Sequence, residues 1–516
     1  MRLFVVLACT AAVMCAGVAN GAAPQATDPI QQTDPALAFD GANYLVLWDE
    51  FDPNLKTVDT FGARVHDSTV LDREGLPIVE GERVGPRVAF DGTNYLVVWS
   101  DRRNGSSDVY GERVTPGGVV LDPKGFAISS APEDQYGPAL AFDGVDYLVV
   151  WEDARPGYPD TDVYGARVTP GGDVLDPAGI PISTATVNQV EPAVAFGGTD
   201  FLIAWHDWRN YPTGLADIYG ARVSSAGTVL DPGGIPISTA PSTQYSPRIA
   251  FGGTRFLVTW TDSRGGCCAV YGSRVSVAGA VLDPAGVPIS AGSQSRGSPA
   301  PAFDGTNFLV VWEDLRSGSW DIYAARVDPA GQVLEPGGIP ISTAPDYQQN
   351  PAVAFDSTSY LATWEDRRAG SSDPDIYGAR VTPAGTVLDP NGIAIAPAGE
   401  PPPPPPPPPA PPPPPPPPPQ PPPPPQPPPP PQPPPPPLPP PPPPPPPAAA
   451  RCRVPRVLGL RLGAATQRIR RARCSVGRIR RVHSRRSRYG RVVEQTPRPG
   501  AVRRRGFPVR LALGRR

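Results

Sequence analysis

The chain has 516 residues, a formal net charge of −3, 80 prolines and only three histidines, His66, His206 and His483. Forty-two of the prolines lie between Pro401 and Pro447, in a tract that cannot build a core, and so few histidines leave little material for a histidine metal site or a Ser-His-Asp relay. The near-neutral charge conceals two opposed bodies: Arg451 to Arg516 holds 22 Arg, no Lys and one acid, Glu494, for +21, and the rest of the chain carries −24.

Residues 1–22 read as a secretory signal. Met1-Arg2 supplies a positive start, Leu3 to Val18 is almost unbroken apolar sequence, and Ala19-Asn20-Gly21 gives a small-x-small cleavage pattern. An uncleaved membrane anchor is the alternative, disfavoured because the run falls short of about 18 to 20 residues and no charged stop follows. Val6-Leu7-Ala8-Cys9 comes near a lipid-attachment pattern, though unusually early. No second stretch is long enough to span a bilayer, so the expected location is extracellular, at the cell wall or cell surface.

Residues 28–398 are dominated by a repeat. Trp48, Trp99, Trp151, Trp205, Trp260, Trp312 and Trp364 recur every 51 to 55 residues, and an aromatic stands four residues before each: Tyr44, Tyr95, Tyr147, Phe201, Phe256, Phe308 and Tyr360. Each unit runs P-x-x-A-F-D-G-x-x-Y-L-V-V-W-x-D-x-R, then D-I-Y-G-A-R-V, then G-x-V-L-D-P-x-G-I-P-I-S. Short runs rich in Val, Ile, Tyr and Phe between Asp-Gly, Pro-Gly and Ala-Gly turns are strand and hairpin signals. In the sixth unit they predict strands near Pro301–Phe303, Asn307–Glu313, Ile322–Val327 and a broken Gln332–Ile341. No long helical period occurs between Asp28 and Ala396. Four antiparallel strands repeated seven times predict an all-β, seven-bladed β-propeller, in which each sheet buries both faces against its neighbours.

The repeated Trp and aromatic are expected to be core between blades. The Asp and Arg two and four residues after Trp, from Asp101/Arg103 to Asp366/Arg368, are expected to form a loop ion pair with carboxylate-to-amide bonds; a charged ring facing a ligand is the alternative. The first unit departs, with Glu50 and Asp52. The hairpin W-x-D-x-R-x-G-x-x-D-I-Y, as in Trp312 to Tyr323 and, with insertions, Trp364 to Tyr377, resembles the central hairpin of TolB-like propeller repeats. That resemblance implies a fold and brings no catalytic residue with it.

Function in a repeat protein is expected where copies depart from consensus. Loops between second and third strands contribute Tyr158, His206, Trp208, Tyr211 and Trp320, and blade connections contribute Tyr136, Tyr245 and Tyr347. All should open on one face, where exposed rings stack on sugars or grip peptide. The aromatic set Tyr136, Tyr158, Trp208, Tyr211, Tyr245, Trp320 and Tyr347 is therefore the candidate site for a glycan or peptide ligand; ordinary loop packing is the competing account. No catalytic motif, cofactor or metal site is identified. Carboxylates on the face leave a glycan-directed hydrolase open as the alternative.

Cys267 and Cys268 are adjacent, which allows a strained disulfide, pairing to another chain or two free thiols. Cys452 and Cys474 enclose 21 residues and in an exported protein most simply form a disulfide of roughly 3 kcal/mol.

Residues 399–450 form a proline-rich linker. As polyproline II at about 3.1 Å per residue it would reach on the order of 145 Å. Beyond it, Leu462, Ala465, Ile469 and Ala472 mark a short helix face, and Val476 to Val482, Arg491 to Gln495 and Pro508 to Leu513 read as strands. Val454-Pro455, Gly459, Leu462, Ala465, Ile469, Gly477, Gly490, Val492-Val493, Gln495, Pro497, Pro499-Gly500, Gly506 and Val509-x-Leu511 together resemble a PASTA domain over nearly all of 451–516. The resemblance implies a small α+β fold and attachment to peptidoglycan. The arginines depart from that pattern and suit an anionic wall polymer or nucleic acid through salt-dependent contacts. An Arg-rich coding background is the bland alternative, since Lys56 and Lys124 are the only lysines in the chain.

Overall fold

A computed structural model describes residues 30–396, apart from 54–56, 82, 156, 158–159, 211–214, 267, 291, 293, 369 and 371–373, and in the C-terminal segment residues 451–453, 457, 465, 469, 475–483, 492–496, 502–504 and 508–515. The expected signal and proline linker lie outside the described residues. The chain divides into two compact units, 1–410 and 411–516.

The first unit is a seven-bladed propeller. In blade III the strands from axis to rim are Gln135–Phe142, Tyr147–Asp153, Asp162–Val168 and Ile180–Ser183, all antiparallel and hydrogen-bonded in chain order. Blades I to VII begin at Gln31, Arg83, Gln135, Gln189, Gln244, Arg296 and Gln348. The second strand has a neighbouring sheet on both sides, which is why Tyr95–Asp101 and its equivalents read as apolar runs without alternation and are buried almost end to end.

Each Trp packs its blade onto the one before. Trp99 joins Leu45, Leu47 and Ile78 of blade I, Trp205 joins Leu148, Val150 and Ile182 of blade III, and Trp48 meets Leu361, Ile376 and Ile395 of blade VII. This closes the ring without exchange of a strand, because blades I and VII are each built from one continuous stretch of chain. The closing joint uses the bond found at other joints. Gln32 N donates to Pro374 O at 2.9 Å, as Gln189 N does to Thr161 O at 2.8 Å and Gln348 N to Trp320 O at 2.7 Å.

One feature of the inner strands differs from the sequence reading. In blade VI the strand starts at Arg296, five residues before the expected Pro301, and its register shifts between Gly297 and Ala300. A bulge admits proline where a regular ladder does not, since the missing N–H falls at the interruption. Every blade has it: Asp34, Gly85, Gly137, Glu191, Ser246, Ser298 and Asn350 adopt φ of +49° to +70°, and each is followed by proline.

In the second unit, Ser475–His483, Pro508–Arg515 and Val492–Thr496 form a three-stranded sheet in that order, the first pair parallel and the second antiparallel. Arg451–Arg453 pairs with Val502–Arg504. Ala465 and Ile469, both buried, are helical. Val457 N donates to Gln495 Oε1 at 2.8 Å. Among the described residues no helix is long and apolar enough to cross a membrane.

Candidate functional site

The polar residues present in every blade are spent on the fold. In blade III, Trp151 Nε1 donates to Asp153 Oδ2 at 2.8 Å, and Arg155 donates its backbone N–H to Oδ1 at 3.0 Å and its Nη2 to Oδ2 at 2.6 Å. Arg155 Nη1 reaches Ala178 O at 2.9 Å while its guanidinium lies 3.9 Å above the Tyr164 ring. The carboxylate thus satisfies a buried indole and orients an arginine that clamps the outer hairpin. The same set recurs from blade II, with Asp101 and Arg103, to blade VII, with Asp366 and Arg368. The glycine that opens the last strand belongs to it: Gly179 has φ +75°, and a Cβ there would lie 3.1 Å from Tyr164. A second pair, Arg167–Asp176 at 2.8 Å, pins the outer hairpin, with equivalents in all seven blades. The Asp and Arg after Trp thus form the expected loop ion pair in blades II to VII, and the Arg167–Asp176 set adds a second.

Two positions vary from blade to blade. The residue after Trp is Asp49, Ser100, Glu152, His206, Thr261, Glu313 or Glu365, and the bulge residue is Asp, Gly, Glu, Ser or Asn. The two positions meet across blade boundaries. Asp49 Oδ2 accepts from Gly85 N at 2.7 Å, Glu152 Oε1 from Glu191 N at 2.8 Å, Glu313 Oε2 from Asn350 N at 3.3 Å and Glu365 Oε1 from Asp34 N at 3.0 Å. Each acid therefore caps the backbone donor that the next blade's bulge leaves out of its ladder.

The bulges ring a central cavity of about 420 Å³ whose charged and polar lining is Asp34, Arg87, Glu152, Glu191, Ser246, Arg248, Ser298 and Asn350. It lies toward the face where inner strands begin and second strands end, which is the face of the connections and of the second-to-third loops. Burial, followed by the nearby Glu191 charge, pushes the Glu152 carboxyl up to about 7. Glu191 goes the other way. Burial works against its ionisation, but His206, with Nδ1 3.6 Å from Oε2, the Arg248 charge and the Ser246 hydroxyl at 2.9 Å together hold it down to about 2. The Glu191 side chain nevertheless keeps 45% of its surface exposed, which also favours its charge. Burial lifts Asp49 and Glu365 to about 7, with the charge of Asp34 adding to both. Arg248 is pulled down by burial and then by the Arg87 charge.

Of the sequence-predicted aromatics, Tyr158 and Tyr211 lie outside the described residues. The other five come one each from blades III to VII. Trp208 packs beside His206, its ring 6.0 Å away and edge-on at 66°. Tyr136 donates its hydroxyl to Asp134, and burial and that bond push it up to about 12. Tyr245 Oη lies 3.0 Å from the free thiol of Cys268. Trp320 is half-buried, and Tyr347 is 42% exposed. Cys267, Cys474 and the side chain of Cys452 are outside the described residues. The acids and arginines of the channel were missed by sequence reasoning, although the signal was the same departure from consensus, at the residue after Trp and on either side of the inner-strand proline. Among the described residues no three His, Cys, Asp or Glu side chains are grouped to hold a metal ion.

No family model and no curated protein matches the sequence. Solved structures similar to it include a puromycin-hydrolyzing peptidase of Mycobacterium tuberculosis, with 15% identity over 70% of this chain and 52% of that one and a TM-score of 0.45. The chain thus spans about half the length of that peptidase. The β-propeller domain of the trilobed protease of Pyrococcus furiosus, described as having an open velcro topology, is similar at 10% identity over 68% of this chain and 95% of that domain, with a TM-score of 0.41. A thermostable family-43 glycoside hydrolase is similar at 10% identity over 49% and 92% of the two chains, with a TM-score of 0.31.

Proposed function

We propose that this is an exported recognition protein of the bacterial cell surface. Its propeller binds a glycan or peptide at the face where the channel opens, and its basic PASTA-like end attaches to peptidoglycan or an anionic wall polymer. One observation carries the propeller half: residues common to the blades are consumed by ion pairs and interblade packing, whereas the non-repeating Asp34, Glu152, Glu191, Arg87 and Arg248 line one cavity, with His206 3.6 Å from Glu191 and Trp208 beside His206. For the C-terminal half the support is the PASTA resemblance together with a charge of +21. The test is co-sedimentation of the full chain with purified cell walls over a salt series, with a glycan array probed in parallel. Wall binding that weakens steeply with salt and is lost on deleting 451–516 supports the anchor, and array binding that survives the deletion supports the propeller as a separate binding body.

A second reading, a glycan-directed hydrolase, is favoured by a single pair. Glu152 is shifted up toward protonation at neutral pH and Glu191 beside it is held ionised, the division of labour that acid-catalysed glycoside cleavage needs. Release of reducing sugar from wall glycan, abolished in Glu152→Gln, tests it.

A further inference from the structure

The inner strands break their small-residue rule twice. Two residues past the bulge, five blades carry alanine, as at Ala139 and Ala193, but blades II and V carry Arg87 and Arg248. A position served by alanine five times has no structural need of arginine, so these two side chains require another explanation. Each guanidinium donates through Nη1 to the carbonyl of the proline before it, Pro86 at 2.8 Å and Pro247 at 2.9 Å, and both line the central cavity. Among the described residues neither guanidinium forms an ion pair within 4.0 Å. The charge of Arg87 acts against that of Arg248, and the charges of Glu191 and Asp34 offset it only from beyond ion-pair distance. Two like charges enclosed by protein, with donors still uncommitted, favour an anion between them, and a carboxylate matches the planar fork of arginine.

The acids narrow the choice of anion. Asp34, Glu152 and Glu191 border the same space, so a ligand charged along its length would be repelled by them. A single carboxylate followed by N–H donors satisfies both sets: the arginines take the charge and the acids accept from the amides. At about 420 Å³ the cavity falls within the roughly 300 to 1,000 Å³ of small-ligand sites.

We propose that the channel binds the carboxy-terminal end of a short peptide, with its carboxylate shared between Arg87 and Arg248 and its amides donating to Asp34 and Glu191. This deepens, and rests on, the reading of the channel face as a recognition surface. The experiment is calorimetric titration of the full chain with Ala-Ala-Ala as free acid and as amide. The acid is expected to bind at least tenfold more tightly than the amide, and Arg87→Gln and Arg248→Gln are each expected to weaken it at least tenfold. Arg73→Gln, at an exposed site away from the channel, should leave binding unchanged. Circular dichroism of Arg248→Gln at the temperature of the titration, unchanged from the parent, separates lost binding from lost fold. Equal affinity for acid and amide, indifference to both Arg substitutions in folded protein, or preference for trigalacturonate over the peptide acid would each overturn the proposal. If the protein ignores both peptides yet binds glycan through Trp208 and Trp320, only this proposal falls; if it binds neither peptide nor glycan, the reading of the face falls with it.

Discussion

Glu365 in blade VII accepts a hydrogen bond from the backbone N–H of Asp34 in blade I at 3.0 Å, although 331 residues separate them. It also takes one from Asn350 Nδ2 at 2.7 Å. The bond closes the ring by the same device that Asp49, Glu152 and Glu313 use at other joints, so the first and last blades are held together without a shared strand. Glu365→Ala removes this part-buried bond and is expected to cost roughly 1 kcal/mol in urea unfolding, and Glu365→Gln, which keeps the acceptor, clearly less. Equal losses for the two variants would show that the bond contributes nothing.

Two groups of carboxyls set opposite pH dependences. Hydrogen bonds from Arg64 and Arg113 hold Asp72 and Asp122 below the ordinary carboxylate range. Their stabilisation is present above the unfolded value of about 3.9 and is lost as pH falls through the lower folded one. Asp49, Glu152 and Glu365 are raised to about 7, so the folded chain keeps protons there that the unfolded chain has released. Their contribution is full below about pH 4 and is lost as pH rises toward 7. The melting temperature should therefore peak near pH 4 to 5 and decline on both sides. The decline between pH 5 and 8 should flatten in the Asp49→Asn, Glu152→Gln, Glu365→Gln triple variant, whereas a parent whose melting temperature rises over that interval contradicts the assignment.

The propeller was legible because its cause repeats. Seven tryptophans at near-constant spacing report seven identical packing tasks, and the Asp and Arg that follow them report a local bond network. The channel was less legible for a geometric reason. Glu152 and Glu191 are 39 residues apart and meet only because the bulge before Pro192 turns a backbone donor toward the preceding blade. A register shift in a strand leaves no apolar period of its own; the one trace is a proline inside an otherwise regular run. His206 was readable as an irregular residue, but its placement beside Glu191 follows from the ring, not from the sequence.

Because the Asp–Arg–Trp clusters are structural, substitutions there should damage the fold and leave specificity alone. Asp207 accepts from Trp205 Nε1 at 2.7 Å and from Arg209 Nη2 at 2.7 Å. Asp207→Ala strands a buried indole donor and an arginine, and is expected to cost about 3 kcal/mol, with any remaining folded protein binding its ligand at unchanged affinity. Gly234, at φ +74° and with Arg209 Nη2 3.2 Å from where a Cβ would sit, should also resist substitution, with Gly234→Ala costing about 1 to 2 kcal/mol. A stable Asp207→Ala protein with altered ligand choice would move the cluster from scaffold to site.

The loop aromatics predict the converse. Trp208 and Trp320 are only half-buried and lie outside the interblade clusters, so truncating them removes little core. Trp208→Ala with Trp320→Ala should lower the melting temperature by no more than a few degrees and abolish retention on the propeller's ligand. Trp208 is expected to dominate because its ring borders His206, and through it Glu191, whereas the Trp320 contact to the next blade is made by its backbone carbonyl, which accepts from Gln348 N at 2.7 Å and survives truncation. The single variants should therefore rank with Trp208→Ala the weaker binder. Retention unchanged in the double variant would remove the aromatics from the site and leave the channel charges to account for recognition alone.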